Sequence, residues 1–302
     1  MSGNQSTCGF ARRKGTFTSR REFLVSSIAT AGSLVLYSTQ VARHEISIIT
    51  QELAVNDLPL PFYGFQIVQI SDIHFDAFTD PSFIQSVIAH VNSLRPDLVI
   101  LTGDYISVSR SQRPISVLYM ERCAEALRDL APTQCFAVMG NHDWSLGPAT
   151  IGSILATAGI TLLYNQYQPI ERNGERLWLC GSNDPVSGVP DLGLTIPDRP
   201  DGPVLLMCHG PDYADTVITH RSGRLVDVMF AGHSHGGQVR LPYLGSIYVP
   251  RGGRKYVEGK FELGGLQLYV NRGIGTFGLP LRLNCPPEIT LFTLRPAINR
   301  GF

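Results

Sequence analysis

Residues 65–74 read Phe-Gln-Ile-Val-Gln-Ile-Ser-Asp-Ile-His, and residues 226–235 read Val-Asp-Val-Met-Phe-Ala-Gly-His-Ser-His. Each is a short apolar run that ends in a turn carrying two metal-ligand-type side chains. Three segments between them repeat the form. Asp97–Leu101 runs into Gly103-Asp104, Cys135–Met139 into Gly140-Asn141-His142-Asp143, and Val204–Met207 into Cys208-His209-Gly210. Short apolar runs bounded by glycine suit strands covered on both faces. In open sheets of this kind ligands bind beyond the carboxyl ends of the strands. All five motifs are therefore expected on one edge of the fold.

Outward from these runs the pattern alternates. Helices are expected near 81–94, 115–130 and 148–158, with a short one at 211–219. Strands are expected at 45–53 (an edge strand), 65–70, 97–101, 134–138, 160–163, 168–171, 176–180, 203–207 and 226–230. The strand-rich tail adds 246–249, 260–263, 266–270 and 288–294. Strand–helix alternation implies right-handed βαβ units. The expected fold class is α/β, with two packed mixed β-sheets flanked by helices.

The motifs supply Asp72, His74, Asp104, Asn141, His209, His233 and His235, a mixed oxygen and imidazole donor set that suits two divalent transition metals. Five of the eight histidines lie in these motifs, a concentration that packing alone does not explain. Asp72 and His74, like His233 and His235, are two positions apart. On an extended segment such residues share a face, which would let both reach in.

The order D-x-H, G-D, G-N-H-D, a lone His and G-H-x-H resembles that of the calcineurin-like metallophosphoesterases. The likeness spans roughly residues 45 to 295. It extends to a bacterial subfamily with an N-terminal export or membrane segment, through Gly232–Pro242 and Tyr269–Gly275. One departure is Ser107, where many members carry a second acid in the G-D-x-x-D pattern. The resemblance implies that Asp72, His74 and His235 hold one metal, that Asp104 bridges, and that Asn141, His209 and His233 complete the second. The metals would be manganese, iron or zinc. A bridging water of lowered pKa would supply hydroxide for in-line attack on phosphorus. His142 would donate a proton to the leaving oxygen, with Asp143 orienting it by hydrogen bonding. Arg272 and Arg254 are candidate phosphate contacts, and Arg251, Arg254 and Lys255 form a basic loop that could meet anionic lipid or polymer.

The chain has 302 residues, no net formal charge and 43% hydrophobic residues. Its length allows one large α/β domain after a leader. Neutral balance gives no warrant for a nucleic-acid partner held by bulk charge. Six cysteines without a C-x-x-C spacing are expected as buried free thiols rather than a disulfide scaffold. His44, His90 and His220 match no motif and are read as surface or helix residues. The Pro/Gly/Asp-rich segment 182–202 and the stretch Arg110–Arg113 are candidate pocket walls.

Residues 1–43 are expected to be a twin-arginine-type signal or membrane anchor, and residues 44–302 the metallophosphoesterase domain. Basic residues through Arg21 precede a moderately apolar stretch, 23–38, and Ser19–Leu24 resembles the twin-arginine signal. The stretch is shorter than the ~20 residues of a spanning helix. No A-x-A cleavage site follows it, so an uncleaved anchor is consistent with the sequence. The expected partners are a phosphate-ester substrate, lipid- or wall-linked, the twin-arginine translocation machinery and a membrane surface. The expected location is the bacterial cell envelope, by export or by anchoring at the cytoplasmic membrane. The expected activity is hydrolysis of an envelope phosphodiester or pyrophosphate. An alternative within the class is a UDP-2,3-diacylglucosamine pyrophosphatase of lipid A synthesis, and one outside it is a catalytically silent metal-binding scaffold.

Overall fold

In a computed structural model, which describes residues 19–107, 113–131 and 134–297, the apolar runs build two six-stranded sheets. The first contains β1 (Ser47–Val55), β2 (Gln66–Ile70), β3 (Leu98–Leu101), β4 (Gln134–Ala137), β5 (Thr161–Leu162) and β14 (Glu288–Pro296). Its order is β1-β14-β2-β3-β4-β5, parallel except where β14 meets β2. The second contains β6 (Gln166–Arg172), β7 (Glu175–Gly181), β8 (Val204–Met207), β9 (Val228–Ala231), β12 (Gly259–Leu263) and β13 (Leu266–Val270). Its order is β12-β13-β9-β8-β7-β6, with antiparallel pairs only at the two edges. A two-stranded hairpin, β10 (Arg240–Leu241) with β11 (Gly245–Ser246), stands apart from both; the expected strand at 246–249 survives only as its second arm.

The inner faces meet in one core. Ile67, Leu98, Ile100, Phe136 and Phe292 of the first sheet pack with Leu177, Leu205, Met207, Phe230 and Tyr269 of the second. On the outer face of the first sheet lie α2 (Pro81–Ser93), α3 (Arg113–Leu127) and α4 (Pro148–Ala156). In α2 the spacing Ile84, Val87, Ile88, Val91 makes an apolar stripe that covers Val68, Val99 and Leu101. The second sheet is covered by α5 (Leu192–Thr195) and α6 (Ala214–Thr219), whose Leu192, Ala214 and Val217 pack on Leu206 and Met229. The result is the expected helix–sheet–sheet–helix sandwich. Cys123, Cys135, Cys180, Cys208 and Cys285 are buried free thiols, as expected; Cys8 lies outside the described residues.

The N-terminal segment forms α1 (Arg20–Leu36), which continues through a π-turn at Tyr37–Val41. Ser19 and Glu22 close a capping box around the paired arginines, so the Ser-Arg-Arg-Glu run also starts a helix. The continuous helix Arg20–Val41 has 22 residues and is long and apolar enough to cross a membrane, longer than the apolar stretch alone implies. A signal sequence has the same form. Its apolar side chains, Phe23, Leu24, Val25 and Ile28 among them, are exposed.

Candidate metal centre

The five strands β2, β3, β4, β8 and β9 end side by side at one edge of the sandwich, and the turn after each delivers its motif there. The turns are not extended. Asp72, His74, Asp104, His233 and His235 all have φ between 50° and 68°, in the left-handed region that costs an ordinary residue about 1–2 kcal/mol. Left-handed turning, and not the expected strand alternation, therefore brings Asp72 and His74 to one face, and His233 and His235 likewise. Backbone bonds lace the turns together. Asp72 N–H donates to Gly103 O at 2.9 Å, His74 N–H to Asp104 O at 3.0 Å, and Gly232 N–H to His209 O at 3.0 Å. Two glycines allow the closest approaches. A Cβ at Gly140 would collide with the Asp104 carboxylate, and one at Gly232 with Asp72 and Ser71.

Six of the seven expected ligands form two groups of donor atoms lying within 4.8 Å of one another, Asp72–His74–His235 and Asp104–His209–His233; a third such group, His74–Asp104–His142, adds His142. Asp104 belongs to two groups, and its Oδ2 lies 3.5 Å from His74 Nε2 and 3.2 Å from His209 Nε2. That is the position a bridging carboxylate would need. In the first group His74 Nε2 and His235 Nε2 are 2.9 Å apart, and His235 Nε2 is 3.4 Å from Asp72 Oδ1. In the second, His233 Nδ1 is 3.2 Å from His209 Nε2. In this second group the outer ring nitrogens are held from behind: His209 Nδ1 by Thr102 O at 2.7 Å, and His233 Nε2 by Arg251 O at 2.8 Å. Such supports fix which nitrogen faces inward. Asn141 lies between Gly140, packed on Asp104, and His142, whose amide donates to Asp104 Oδ1 at 2.9 Å; its own buried Oδ1 has no hydrogen-bond partner. A buried carbonyl oxygen without a donor, beside imidazole nitrogens aimed at each other, fits a cation better than it fits protein alone.

Electrostatics agree with the donor geometry. Burial pushes His74 down to about 3 and His233 down to about 4, and holds His235 well below its usual value, which leaves neutral rings with free lone pairs. His209 and Asp104 form an ion pair. Burial opposes both charges, but the Asp104 carboxylate holds His209 well above its ordinary value and His209 holds Asp104 well below. Burial, with the Asp104 charge adding, raises Asp72 to about 6 despite His209 and bonds from Ser71 and the His233 amide.

Three of the expected site residues make other contacts in the structure. Asp143 does not hold the His142 ring. Its Oδ2 accepts from the amides of Asp104 at 2.8 Å and Gly140 at 2.9 Å, and its Oδ1 accepts from Tyr105 at 2.8 Å. Both oxygens of the Asp143 carboxylate are thus engaged by buried amides rather than by the neighbouring imidazole. His142 instead stands half-buried with its ring against His74, at 4.9 Å, and Phe277, at 5.1 Å. Arg272 gives its Nε to Glu288 and lies under Gly236, because Glu288 is itself buried and needs a counter-charge. Arg254 is exposed; its Nε bonds the Val249 carbonyl of its own loop at 3.2 Å, and Lys255 pairs with Asp215. The basic loop reaches the site through a backbone carbonyl, that of Arg251, rather than through its cations.

Other residues appear only in the structure. Arg282 is fully buried and donates to the carbonyls of Arg272, Gly273, Gly275 and Cys285; Gly275 N–H in turn bonds Asp72 O at 2.7 Å. Arg43 and His44, just beyond the N-terminal helix, line a small cavity together with His74 and Asp76. A Leu-Arg-Leu at 281–283 and a His near a leader carry no local mark of this. Of segment 182–202, Pro185 and Val186 wall a cavity beside Arg251 and Gly252. Ser107, at the departure from the family pattern, bonds the His74 carbonyl at 3.2 Å. Residues 110–112 of the other candidate wall lie outside the described residues; Arg113 begins α3.

An edge of clustered carboxylates, imidazoles and one orphaned amide oxygen on a double-sheet sandwich defines a metallophosphoesterase. The profile of the calcineurin-like phosphoesterases matches residues 65–237. The uncharacterized metallophosphoesterase YkuE of Bacillus subtilis is 33% identical over 92% of this chain and 98% of its own length. The phosphodiesterase YaeI of Escherichia coli is 30% identical over 91% of this chain and 99% of its own. The UDP-2,3-diacylglucosamine pyrophosphatase LpxG of Chlamydia trachomatis is 28% identical over 78% of this chain and 86% of its own. Among solved structures, the calcineurin-like phosphoesterase YfkN of Bacillus subtilis matches at 14% identity over 70% of this chain and 82% of that one, with a TM-score of 0.43. The chain belongs to the calcineurin-like phosphoesterase family and is a metal-dependent phosphoester hydrolase.

Proposed function

We propose that the protein hydrolyses a phosphodiester or pyrophosphate of the cell envelope at this centre. The observation that carries the reading is Asp104 Oδ2, within 3.5 Å of imidazoles from both donor groups. Asp72, His74 and His235 would hold one divalent cation and Asn141, His209 and His233 the other, with Asp104 shared. Two such cations, when bound, neutralise charge on the phosphoryl oxygens and make hydroxide available near neutral pH. The protein's own contribution is placement. His142, half-buried against His74 and Phe277, is free of the structural bonds that occupy Asp143 and would donate a proton to the leaving oxygen. In the net reaction the oxygen of water forms the new P–O bond, the ester P–O bond breaks, and the departing oxygen takes a proton.

Residues 1–43 would act as a twin-arginine signal or an anchor, with the translocation machinery as a partner in the first case. A second reading, a UDP-2,3-diacylglucosamine pyrophosphatase working at the membrane, is favoured by the LpxG likeness together with the exposed apolar helix. Purified full-length protein loaded in turn with manganese, iron and zinc, then given bis-p-nitrophenyl phosphate, tests the main reading. Expected are about two metals per chain and release of p-nitrophenol that Asp104→Ala abolishes together with most of the metal. Full metal and full turnover in Asp104→Ala would overturn the assignment.

A further inference from the structure

Beside His235 the surface changes character. The segment from Gln238 through the β10–β11 hairpin to Pro250 faces the segment 277–281, and between them runs a groove of ≈ 460 Å³. Val239, Ile247, Tyr248, Phe277, Leu279 and Leu281 line it, and His235 forms part of its wall. Its volume falls in the ~300–1,000 Å³ range of small-molecule sites. The polar groups nearby satisfy one another. Gln238 Nε2 donates to the Phe277 and Leu279 carbonyls, each at 3.1 Å, and its Oε1 accepts from Phe277 N–H at 2.7 Å. Apart from His235 and the Tyr248 hydroxyl, what remains on the groove surface is hydrocarbon.

Three further observations bear on the occupant. Phe277 belongs to both places: it lines the groove, and its ring centroid lies 5.1 Å from His142 and 5.9 Å from His74. The groove therefore opens from the metal centre itself. Its rim is exposed hydrocarbon, with Leu279 66% and Ile247 64% exposed and Leu244 at the hairpin tip 80% exposed. Contiguous exposed apolar surface marks a lipid or partner site. Finally, the last turns of the helix long enough to cross a membrane pack beside the groove. Ser38 is buried, and its carbonyl accepts from Arg282 N–H at 3.1 Å, immediately after Leu281.

We propose that this groove receives the alkyl or acyl chain of an amphiphilic phosphodiester whose phosphate lies at the Asp/His cluster. The proposal rests on the phosphoesterase reading and narrows it to a substrate class: phosphoesters with a long hydrocarbon arm, drawn from a lipid surface. A groove for a soluble nucleotide or sugar would need donors and acceptors along its walls. A groove for a protein partner would not need to open on His235 and Phe277.

The test uses the full chain in lipid nanodiscs, metal-loaded, with two chromogenic diesters, ethyl and dodecyl p-nitrophenyl phosphate. Each releases p-nitrophenol on hydrolysis, and they differ only in the retained arm. The dodecyl diester should show a kcat/KM about a hundredfold higher, carried mainly by KM, since its extra methylenes leave water. Leu279→Glu, at an exposed position, should melt as wild type does and lose about tenfold or more of that preference. Leu60→Glu, 75% exposed and outside the groove, should keep it. In the metal-free chain a dodecylphosphonate with a diazirine at its tail should crosslink to residues 239–250 and 277–281. Turnover of neither diester would remove the underlying phosphoesterase reading. Equal turnover of both, a preference unchanged in Leu279→Glu, or crosslinks elsewhere would overturn the groove assignment alone. Crosslinks between two chains would make the face an interface between copies and would also overturn it.

Discussion

Asp143→Asn separates two accounts of the G-N-H-D motif. The substitution keeps shape and turns one acceptor into a donor. Asp143 Oδ2 serves two amides, those of Asp104 and Gly140, and Oδ1 serves the amide of Tyr105. Asn would place its carbonyl toward the pair and its NH2 against Tyr105 N–H. One hydrogen bond disappears, worth about 1 kcal/mol, and a buried amide faces another donor at a cost of about 1–3 kcal/mol. Relief of repulsion offsets part of this: burial and the Asp104 charge push Asp143 up to about 8. A net loss of at most about 2–4 kcal/mol follows, or at most roughly 5–15 °C in melting temperature for a domain of this size. Because the disturbed amides belong to Asp104 and its neighbours, metal content should fall with stability.

The measurements are a thermal melt, metal content by mass spectrometry and turnover of bis-p-nitrophenyl phosphate. Were Asp143 acting by orienting His142, Asp143→Asn would melt normally, keep its metal and lose rate alone, and adding it to His142→Ala would cost nothing further. A variant with wild-type melting temperature and metal content would refute a role for Asp143 as the anchor of these three amides.

Further outcomes follow from the same geometry. His142→Ala should retain its metals and lose roughly 10²–10⁴ in rate, with the loss smaller for p-nitrophenyl than for alkyl leaving groups; a uniform loss across leaving groups would point to positioning instead. Gly232→Ala, whose methyl would strike Asp72 and Ser71, should lose most of its metal as judged by elemental analysis, whereas a fully loaded variant would show the contact to be soft. In the metal-free protein Asp72 is raised to about 6 and Asp143 to about 8, so the stability they contribute is present below about pH 4 and drains as pH rises through 6 and 8. Added manganese, which needs deprotonated ligands, should therefore raise the melting temperature more at about pH 8 than at about pH 5; equal gains would count against the assignment. Replacing Arg20 and Arg21 by Lys should leave folded, active protein inside the cell if the paired guanidinium groups are read by the export machinery, a result that fractionation checks and unchanged export would exclude.

How much of this was legible in the sequence differs from residue to residue for physical reasons. The five motif-bearing strands were readable because burial on both faces leaves runs such as Leu98–Leu101 with no polar interruption, and the glycines mark where each run must turn. Helix α2 was readable from Ile84, Val87, Ile88 and Val91. The order β1-β14-β2 was not, since it pairs residues 47–55 with 288–296 and no local signal specifies so distant a partner. The hairpin at Arg240–Ser246 rests on two residue pairs, too few to leave a period. Arg282 looks like a surface residue until its carbonyl partners are seen. Adjacency of Asp143 to His142 in sequence says nothing about direction: the same short turn sends the carboxylate back under Asp104 while the imidazole goes out.

The centre also shows why side-chain identity alone under-describes a site of this kind. Five of the seven proposed ligands sit at positive φ, and each such residue costs about 1–2 kcal/mol. In return the chain curls at each strand end, so that side chains from neighbouring strands converge rather than run parallel. Convergence then demands backbone contact with the carboxylates, which Gly140, Gly232 and Gly273 permit. The laced amides, Asp72 to Gly103 and His74 to Asp104, and the guanidinium of Arg282 behind Gly275 hold the turns in this costly form. Within it, imidazole nitrogens approach to 2.9 and 3.2 Å, and a shared carboxylate stands between the groups. Water can satisfy one such pair at a time, and a proton only one atom of each. Two cations sharing Asp104 would satisfy the set together, so the strain and the donor chemistry favour the same occupant.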